Sequence, residues 1–242
     1  MASSFLPTRA PSHRNVRNRL LAGLAPAVYD LLRSRLEPVP LALRQVLIQA
    51  HEPIAHAYFV EEGTASLLAD LNERIEVGMI GPEGMVGVPV VLDADRGPFT
   101  ALVQGQGSAL RITADDLHGI LDDSGALRTR LTRYAQTIMT QVSTSAYANA
   151  SLNIEGRLAR WILMSQDRLR CDELPMTHEF LSLMLGVRRP GVTTATHLLE
   201  GAGMIQARRG RITVLDRDKL RELAWDTYGP AEAEYERLLA QV

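Results

Sequence analysis

The sequence predicts an α+β protein with a mainly β N-terminal part, one long central helix and a helical C-terminal part. From about Val39 to Ile112, short runs rich in Val, Ile, Leu and Tyr alternate with glycine and proline. A segment without glycine or proline follows from Leu127 to Leu152, and beyond it apolar residues recur at helical spacing. The 242 residues, 46% hydrophobic and 22% charged, suffice for one large core or two modest ones.

Composition excludes several classes of protein. Cys171 is the only cysteine, which rules out an intramolecular disulfide framework, a CxxC zinc site and an iron–sulfur cluster ligated by the cysteines of one chain. No apolar run approaches the roughly 18 residues that a membrane-spanning helix needs. We therefore expect a protein of the reducing cytoplasm with no membrane partner.

The N-terminus is rich in serine and arginine and contains no acidic residue. This superficially resembles an organelle transit peptide, but a tail leading into a helix near Asn15 is the simpler interpretation. The predicted organisation is a disordered tail at 1–14, a β domain at 15–122, a long helix at 123–152 and a C-terminal domain at 153–242.

The β domain is predicted from runs that have the length and spacing of strands. They are typical of an antiparallel sandwich or jelly roll. Thr113 is predicted to cap the helix that follows in TADDLHGIL. The runs are LRQVLIQA, AYFVEEGTASLLADL, RIEVGMI, MVGVPVVL, FTALVQG and SALRIT.

The long helix carries an apolar stripe with alternating spacings of four and three residues. Such a stripe favours a dimer contact, and small or polar residues continue it and permit close approach of two helices. The alternative is that the stripe lies against the β domain of its own chain. The predicted dimer contact consists of Leu127, Leu131, Tyr134, Ile138, Ser145 and Leu152.

The C-terminal part contains LSLMLGVRRPGVTTATHLLEGAGMI, in which two short helical patterns meet at Gly186. Pro175 and Thr177 indicate the start of the first helix. The second begins at Arg188 or Arg189, because Pro190 is tolerated only in a first helical turn. Its inward residues are predicted to be Val192, Ala195, Leu198 and Leu199. The pattern predicts a helix-turn-helix.

The outer face of the second helix is basic and polar. It is predicted to present Arg188, Arg189, Thr193, Thr194 and His197. An arginine near the start of such a helix can donate two hydrogen bonds to guanine in the major groove, and acidic residues there would repel phosphates. The face therefore indicates binding to double-stranded DNA.

A basic hairpin is predicted directly after the second helix, in MIQARRGRITVLD. Arg208, Arg209 and Arg211 surround its turn, where they would lie over DNA phosphates. From Gly186 to Thr213 there are five arginines and one acidic residue, a local charge of +4 in a chain whose net charge is −2. This local concentration of charge supports a winged helix-turn-helix.

From about Asn15 to Leu223 the chain resembles the Crp/Fnr family of bacterial transcription factors, most specifically in MTHEFLSLMLGVRRPGVTTATHLLEGAGMIQARRGRITVLD. The resemblance implies an N-terminal β-roll (double-stranded β-helix) like that of cyclic-nucleotide-binding domains. It also implies a homodimer joined through the long helix, bound to a near-palindromic promoter site where it recruits or excludes RNA polymerase.

The resemblance also implies roles for residues of the helix-turn-helix. Arg189 matches the family's principal guanine-reading arginine, and Thr194 a second contact position one turn later. Pro190 stands at a base-reading position where the family commonly has an acidic residue, so the target sequence is expected to differ. The implied phosphate contacts are Arg188, Thr193, His197, Arg208, Arg209 and Arg211.

The effector pocket that the resemblance implies lacks the usual charged anchors. Where nucleotide-binding members have Gly-Glu-Leu, this chain has Gly87-Val88-Pro89, and where they have Arg-Ser or Arg-Thr it has Phe99-Thr100. Arg96 lies a few residues early. The sequence therefore predicts a degenerate pocket formed by Gly87, Val88, Arg96, Phe99 and Thr100.

These features argue against three known effector types. A cyclic nucleotide would lack its charged partners, and one cysteine cannot hold an iron–sulfur cluster. Haem is not expected, because His51, His56 and His118 are isolated along the chain. The remaining possibilities are an unidentified small-molecule effector or no ligand.

Two other classes of function compete with DNA binding. An enzyme is not expected, because the sequence has no GxSxG elbow, no HExxH motif and no Walker loop. The alternative to a DNA-binding regulator is a ligand-sensing or protein-docking module that keeps the fold without specific DNA binding. Duplex affinity that depends on salt would distinguish the two.

Overall fold

The computed structural model describes residues 9–70 and 74–239, and it has the predicted α+β architecture. The strands are β1 Glu37–Leu41, β2 Val46–Ile48, β3 His56–Asp70, β4 Arg74–Ile80, β5 Met85–Val86, β6 Phe99–Thr113, β7 Glu173–Pro175, β8 Ile205–Arg208 and β9 Arg211–Val214. The helices are α1 Arg19–Ala22, α2 Pro26–Arg33, α3 Val88–Val91, α4 Ala114–Asp123, α5 Gly125–Ser151, α6 Ile154–Leu169, α7 His178–Leu185, α8 Arg189–Gly201, α9 Arg217–Ala224 and α10 Pro230–Leu239.

The N-terminal sheet is antiparallel and has the order β1-β6-β3-β4, with β2 beside β6 and β5 beside β3. β3 and β6 pair along almost their whole length, from His56 opposite Thr113 to Ala69 opposite Phe99. The register shifts around Gly63, whose φ is +87°. A Cβ there would lie 2.3 Å from the Gly105 carbonyl oxygen, so the close approach of the two strands requires glycine.

The strand predictions are confirmed in part. FTALVQG and SALRIT form one continuous strand, β6, and only Val46–Ile48 of LRQVLIQA is a strand. The prediction of a strand across MVGVPVVL is wrong beyond Val86, because the short helix α3 follows. Gly87 has φ +110°, and Pro89, which has no N–H for a ladder, is accommodated in the first turn of α3.

The predicted disordered tail is corrected in its second half. Residues 1–8 lie outside the described residues, but the stretch from Arg9 to Arg14 packs against α2. Ala10 is buried, the hydroxyl of Tyr29 donates to the Pro11 carbonyl at 2.8 Å, and the His13 ring stacks on Tyr29 with 4.9 Å between centroids. These residues pack there because they bury the largely apolar face of α2, which water would otherwise contact.

Helix α5 begins and ends close to its predicted bounds, but its apolar stripe does not face a partner. Leu127, Leu131 and Tyr134 are at most 1% exposed and belong to the core of the N-terminal domain. The Tyr134 hydroxyl donates to the Met85 carbonyl at 3.2 Å. The reason is geometric, because the β-roll of the same chain covers this face.

The rest of the predicted dimer contact is also used within the chain. Ile138 is buried in the same core, and the Ser145 hydroxyl accepts from Arg160 Nη2 at 3.2 Å. Leu152 is half-buried at the end of α5. The prediction of a partner contact is therefore corrected for five of these residues: Leu127, Leu131, Tyr134 and Ile138 pack in the core of the chain's own β domain, and Ser145 contacts α6. For Leu152 it stays a prediction.

The C-terminal domain has its own core and also contacts the N-terminal part. Leu68 and Met79 of the β-roll belong to the C-terminal core. Helix α10 packs along α5, where Arg130 Nη1 donates to the Leu239 carbonyl at 3.4 Å and the Tyr235 hydroxyl donates to the Glu83 carbonyl at 2.7 Å. Among the described residues, no helix has both the length and the apolar character to cross a bilayer.

Candidate nucleic-acid interface

Helices α7 and α8 form the predicted helix-turn-helix. The Thr177 hydroxyl caps α7 by accepting from the Phe180 amide at 3.2 Å. Gly186 ends the helix with φ +59°, the left-handed conformation that favours glycine. Pro175, which the sequence placed at the start of this helix, lies instead in β7. α8 begins at Arg189 with Pro190 in its first turn, as predicted.

The outer face of α8 carries most of the residues that the sequence placed there. Arg188, Arg189, Pro190, Thr194 and His197 are exposed. The inward residues are confirmed for Val192, Ala195 and Leu199, each at most 2% exposed. The prediction for Leu198 is wrong: it is 55% exposed, because the buried stripe of α8 passes through Ala195 and Leu199 and Leu198 lies to one side of it.

The arginines of this surface differ in whether they already have a partner. Arg188, Arg189, Arg208 and Arg209 are exposed and make no ion pair within the described part of the chain. Arg211 instead pairs with Glu173, with 2.5 Å between Nη1 and Oε1. The guanidinium groups nearest the start of α8 and at the tip of the hairpin thus remain available to an anion.

The Thr193 hydroxyl, a predicted phosphate contact, already makes hydrogen bonds within the protein. It is half-buried, its hydroxyl donates to the Arg189 carbonyl at 3.1 Å, and His178 Nδ1 lies 3.0 Å from the same hydroxyl oxygen. Burial, together with the nearby charges of Arg189 and His197, holds the pKa of His178 below its ordinary value. A neutral His178 joins α7 to α8 and positions the start of α8.

The hairpin is confirmed and packs as a wing beside α8. β8 and β9 pair in register with Arg208 opposite Arg211, and β7 extends the sheet on the other side of β9. The Glu200 carboxylate near the end of α8 accepts from the Ala207 amide at 2.9 Å. The one acidic residue of this basic segment therefore fixes the wing to the helix.

Four of the five predicted pocket residues lie together. Gly87, Val88, Arg96 and Phe99 line a cavity of about 490 Å³ between the β-roll and α5. Thr100 does not line it; its buried hydroxyl accepts from the Ala50 amide at 3.3 Å. The reason is strand alternation, which turns Thr100 to the face opposite Phe99 and Ala101.

The three histidines of the N-terminal domain lie in different surroundings. His118 Nε2 lies 2.8 Å from the Val90 carbonyl, so it is placed to donate there. His51 is exposed and adopts φ +65° in a turn. Burial and the charge of Arg111 hold the pKa of His56 below its ordinary value.

Two features of the structure have no counterpart in the predicted site. A buried carboxylate, Glu76 of β4, accepts from Trp161 Nε1 at 2.9 Å and from Gln104 Nε2 at 3.0 Å, and also from Ser66. Trp161 belongs to α6, so this cluster joins the β-roll to the C-terminal domain. No sequence pattern marks it, because its members lie far apart along the chain.

The second feature is the exposed face of α5. From Tyr134 to Leu152 the helix contains no charged residue. Its solvent-facing side carries two large side chains, Met139 and Tyr147, which are 61% and 55% exposed. Small or uncharged residues surround them, namely Gln136, Ser143, Ala146 and Ala150. The charge-free run was the available signal for this face.

Comparison with known proteins agrees with this architecture. Residues 38–124 match the model of the cyclic nucleotide-binding domain, and residues 156–223 match that of the Crp-like helix-turn-helix domain. The two matches together cover well over half of the chain. The chain belongs to the Crp/Fnr family of transcriptional regulators.

Several solved structures share the fold. FixK2 from Bradyrhizobium japonicum is 15% identical with a TM-score of 0.68, over 78% of this chain and 98% of its own. The c-di-GMP responsive global regulator CLP of Xanthomonas campestris is 14% identical with a TM-score of 0.66, over 78% and 99%. TTHA1359, a Crp/Fnr regulator from Thermus thermophilus, is 21% identical with a TM-score of 0.62, over 78% and 98%. A search of curated protein sequences finds no match to the chain.

Proposed function

We propose that this Crp/Fnr regulator is a homodimer that binds a near-palindromic promoter site with α8 in the major groove and there recruits or excludes RNA polymerase. The observation that carries the proposal is the exposed, unpaired pair Arg188 and Arg189 at the start of α8, beside the wing arginines Arg208 and Arg209. Guanidinium groups in this position suit guanine edges and phosphates. A protein that acts on promoter DNA works in the bacterial cytoplasm.

The contacts divide into base reading and backbone positioning. Arg189 and Thr194 are exposed on the first turns of α8 and are assigned to bases, with Pro190 offering only apolar contact. Arg188, His197, Arg208 and Arg209 are assigned to phosphates. Arg211 has to exchange its ion pair with Glu173 for a phosphate, and the Thr193 hydroxyl is already engaged, so both are expected to contribute less.

The dimer contact is assigned to the charge-free exposed face of α5. Met139, Ala146, Tyr147 and Ala150 lie on one side of the helix, where small residues let two helices approach and large ones interdigitate. A twofold axis along this face would place the two α8 helices for half-sites about one helical turn of DNA apart.

Selection of bound duplexes from a random library tests this function. We expect the enriched sequence to contain two inverted half-sites, each with a guanine, with centres about 10 base pairs apart. Repeating the selection with small molecules from cell extract also measures any dependence on an effector. Enrichment of no sequence, or of a single asymmetric half-site, contradicts the proposal and favours a module that keeps the fold without specific DNA binding.

A further inference from the structure

The cavity between the β-roll and α5 has the size of a small-molecule site. Its volume of about 490 Å³ falls within the range of roughly 300 to 1,000 Å³ typical of ligand pockets. Leu67, Ile80 and Ala101 line it from the sheet, and Ile138 and Met139 line it from α5. It is therefore a concave site that two different elements of the fold enclose.

The lining is almost entirely apolar. Among its described residues only Arg96 and Ser143 have polar side chains. Arg96 is more than half exposed at the rim, and its Nε lies 3.1 Å from the Asp95 carboxylate, which offsets its charge. The Ser143 hydroxyl makes no hydrogen bond to another described residue, so it is free to pair with a ligand.

This set of donors does not fit a cyclic nucleotide, the ligand that the matched domain implies. A buried phosphate needs charge-assisted hydrogen bonds, and the one cation among the described lining residues is already paired and lies at the rim. The ribose and phosphate would face leucine, isoleucine and alanine side chains instead. An uncharged apolar molecule meets no such penalty in this cavity.

We propose that the cavity binds an uncharged, largely apolar small molecule, with one hydroxyl or carbonyl group directed to Ser143. The inference rests on the proposed function, since it assigns the effector of that regulator. Met139 and Ser143 line the cavity and also lie on the exposed face of α5 assigned to the dimer. Such a ligand therefore contacts the helix through which the two protomers meet.

Titration calorimetry on the full-length protein, with probes matched in shape, tests the class of ligand. The probes are 1-naphthalenemethanol, its carboxylate counterpart 1-naphthoate, and cyclic AMP. We expect saturable binding of the alcohol, at least tenfold weaker binding of the carboxylate and no saturable binding of cyclic AMP. Tighter binding of either anion than of the alcohol overturns the proposal. So does the absence of saturable binding of the alcohol, the result expected if a second copy of the chain fills the cavity.

Substitutions of lining residues test whether the alcohol binds in this cavity. Ala135→Phe and Val142→Phe each place a ring in the cavity, from a buried and a half-buried position of α5 respectively. Either is expected to weaken binding of the alcohol at least tenfold. The matched control is Ala126→Phe, at an exposed position of α5 that does not line the cavity, and it should leave binding within twofold. Unchanged binding in a correctly folded filled variant contradicts the assignment. Duplex binding, measured separately, shows whether any failure concerns the ligand or the DNA-binding function.

Discussion

At the scale of single residues, Arg189 and Arg209 carry the same charge but occupy different positions. Arg189 is on the first turn of α8 and Arg209 is in the turn of the wing. Arg189→Ala is expected to cost about 1 to 3 kcal/mol on the selected site and to relax specificity at one base pair. Arg209→Ala should weaken all duplexes similarly. Fluorescence anisotropy on selected and random duplexes measures both, and equal losses on the two for Arg189→Ala would refute base reading.

Gly186 permits the corner between α7 and α8. Its φ of +59° is strained for other residues, and an added Cβ would lie 3.0 Å from Ile75 Cδ1 of the β-roll. Gly186→Ala is therefore expected to lower the free energy of unfolding by about 1 to 2 kcal/mol. Urea unfolding measures this change.

Gly201→Ala is the matched control. Gly201 lies in the last turn of α8, its φ is not positive, and a Cβ added there would have no other atom within 4 Å. This substitution should leave the free energy of unfolding unchanged or raise it by less than about 1 kcal/mol. If both variants lose the same free energy, conformational strain at Gly186 is not the cause.

The residues of the helix-turn-helix could be predicted because local chemistry determines them. A positive φ selects glycine at 186, a free amide selects Thr177 as a cap, and a first turn tolerates Pro190. The pairing of Arg211 with Glu173 could not be predicted, since it depends on β7 lying beside β9, 38 residues apart in sequence. Ion-pair partners that tertiary contacts bring together cannot be predicted from local sequence patterns.

At the scale of elements, α5 shows the limit of periodicity. Its apolar stripe correctly predicted which face of the helix is buried. It did not predict that the β-roll of the same chain, rather than a partner, covers that face. The β-roll takes the strongest stripe because it offers the larger apolar surface within the same chain. The charge-free face remains exposed, and no seam of large apolar residues marks it in the sequence.

The dimer assignment predicts a specific loss of self-association. Tyr147→Arg is expected to place a charge in the middle of the contact, where burial without a partner costs several kcal/mol, and to yield monomers. Ser34→Arg adds the same charge at an exposed position outside α5 and should leave the dimer intact. Light scattering after gel filtration measures the mass. A dimeric Tyr147→Arg variant would place the contact elsewhere.

The Glu76 cluster predicts a dependence of stability on pH. Burial raises the pKa of Glu76 from 4.5 to about 7, although hydrogen bonds from Ser66 and Gln104 oppose this. The folded state then binds a proton more tightly than the unfolded state. The free energy of unfolding should therefore fall as pH rises from about 4.5 to about 7, by up to about 3 kcal/mol.

Glu76→Gln isolates this contribution, because it removes the ionisable group and keeps an oxygen that can accept from Trp161. The difference in stability between wild type and the variant should change over that pH interval and stay constant above it. Urea unfolding at a series of pH values measures the difference. A constant difference between pH values of about 4.5 and about 7 would show that folding does not raise the pKa of Glu76.

At the scale of the whole molecule, the β-roll lies between the cavity and the DNA-binding domain. Leu67, Ile80 and Ala101 face the cavity, while their neighbours Leu68, Met79 and Leu102 contact the C-terminal core. The order of domains could be predicted from sequence. The repeat of apolar residues changes along the chain from about two residues, typical of strands, to about 3.6 residues, typical of helices. The docking of the two domains could not be predicted. It depends on which of two neighbouring residues in a strand faces the C-terminal core and which faces the cavity.

We propose that α8 and the wing form the surface that binds the DNA duplex. Anisotropy titration of the selected duplex at about 50 and about 200 mM salt tests it most directly. With several phosphate contacts, we predict saturable binding that weakens by about a hundredfold or more over this interval. Association that is undetectable, or that does not change with salt, would show that this surface does not bind DNA through phosphate contacts.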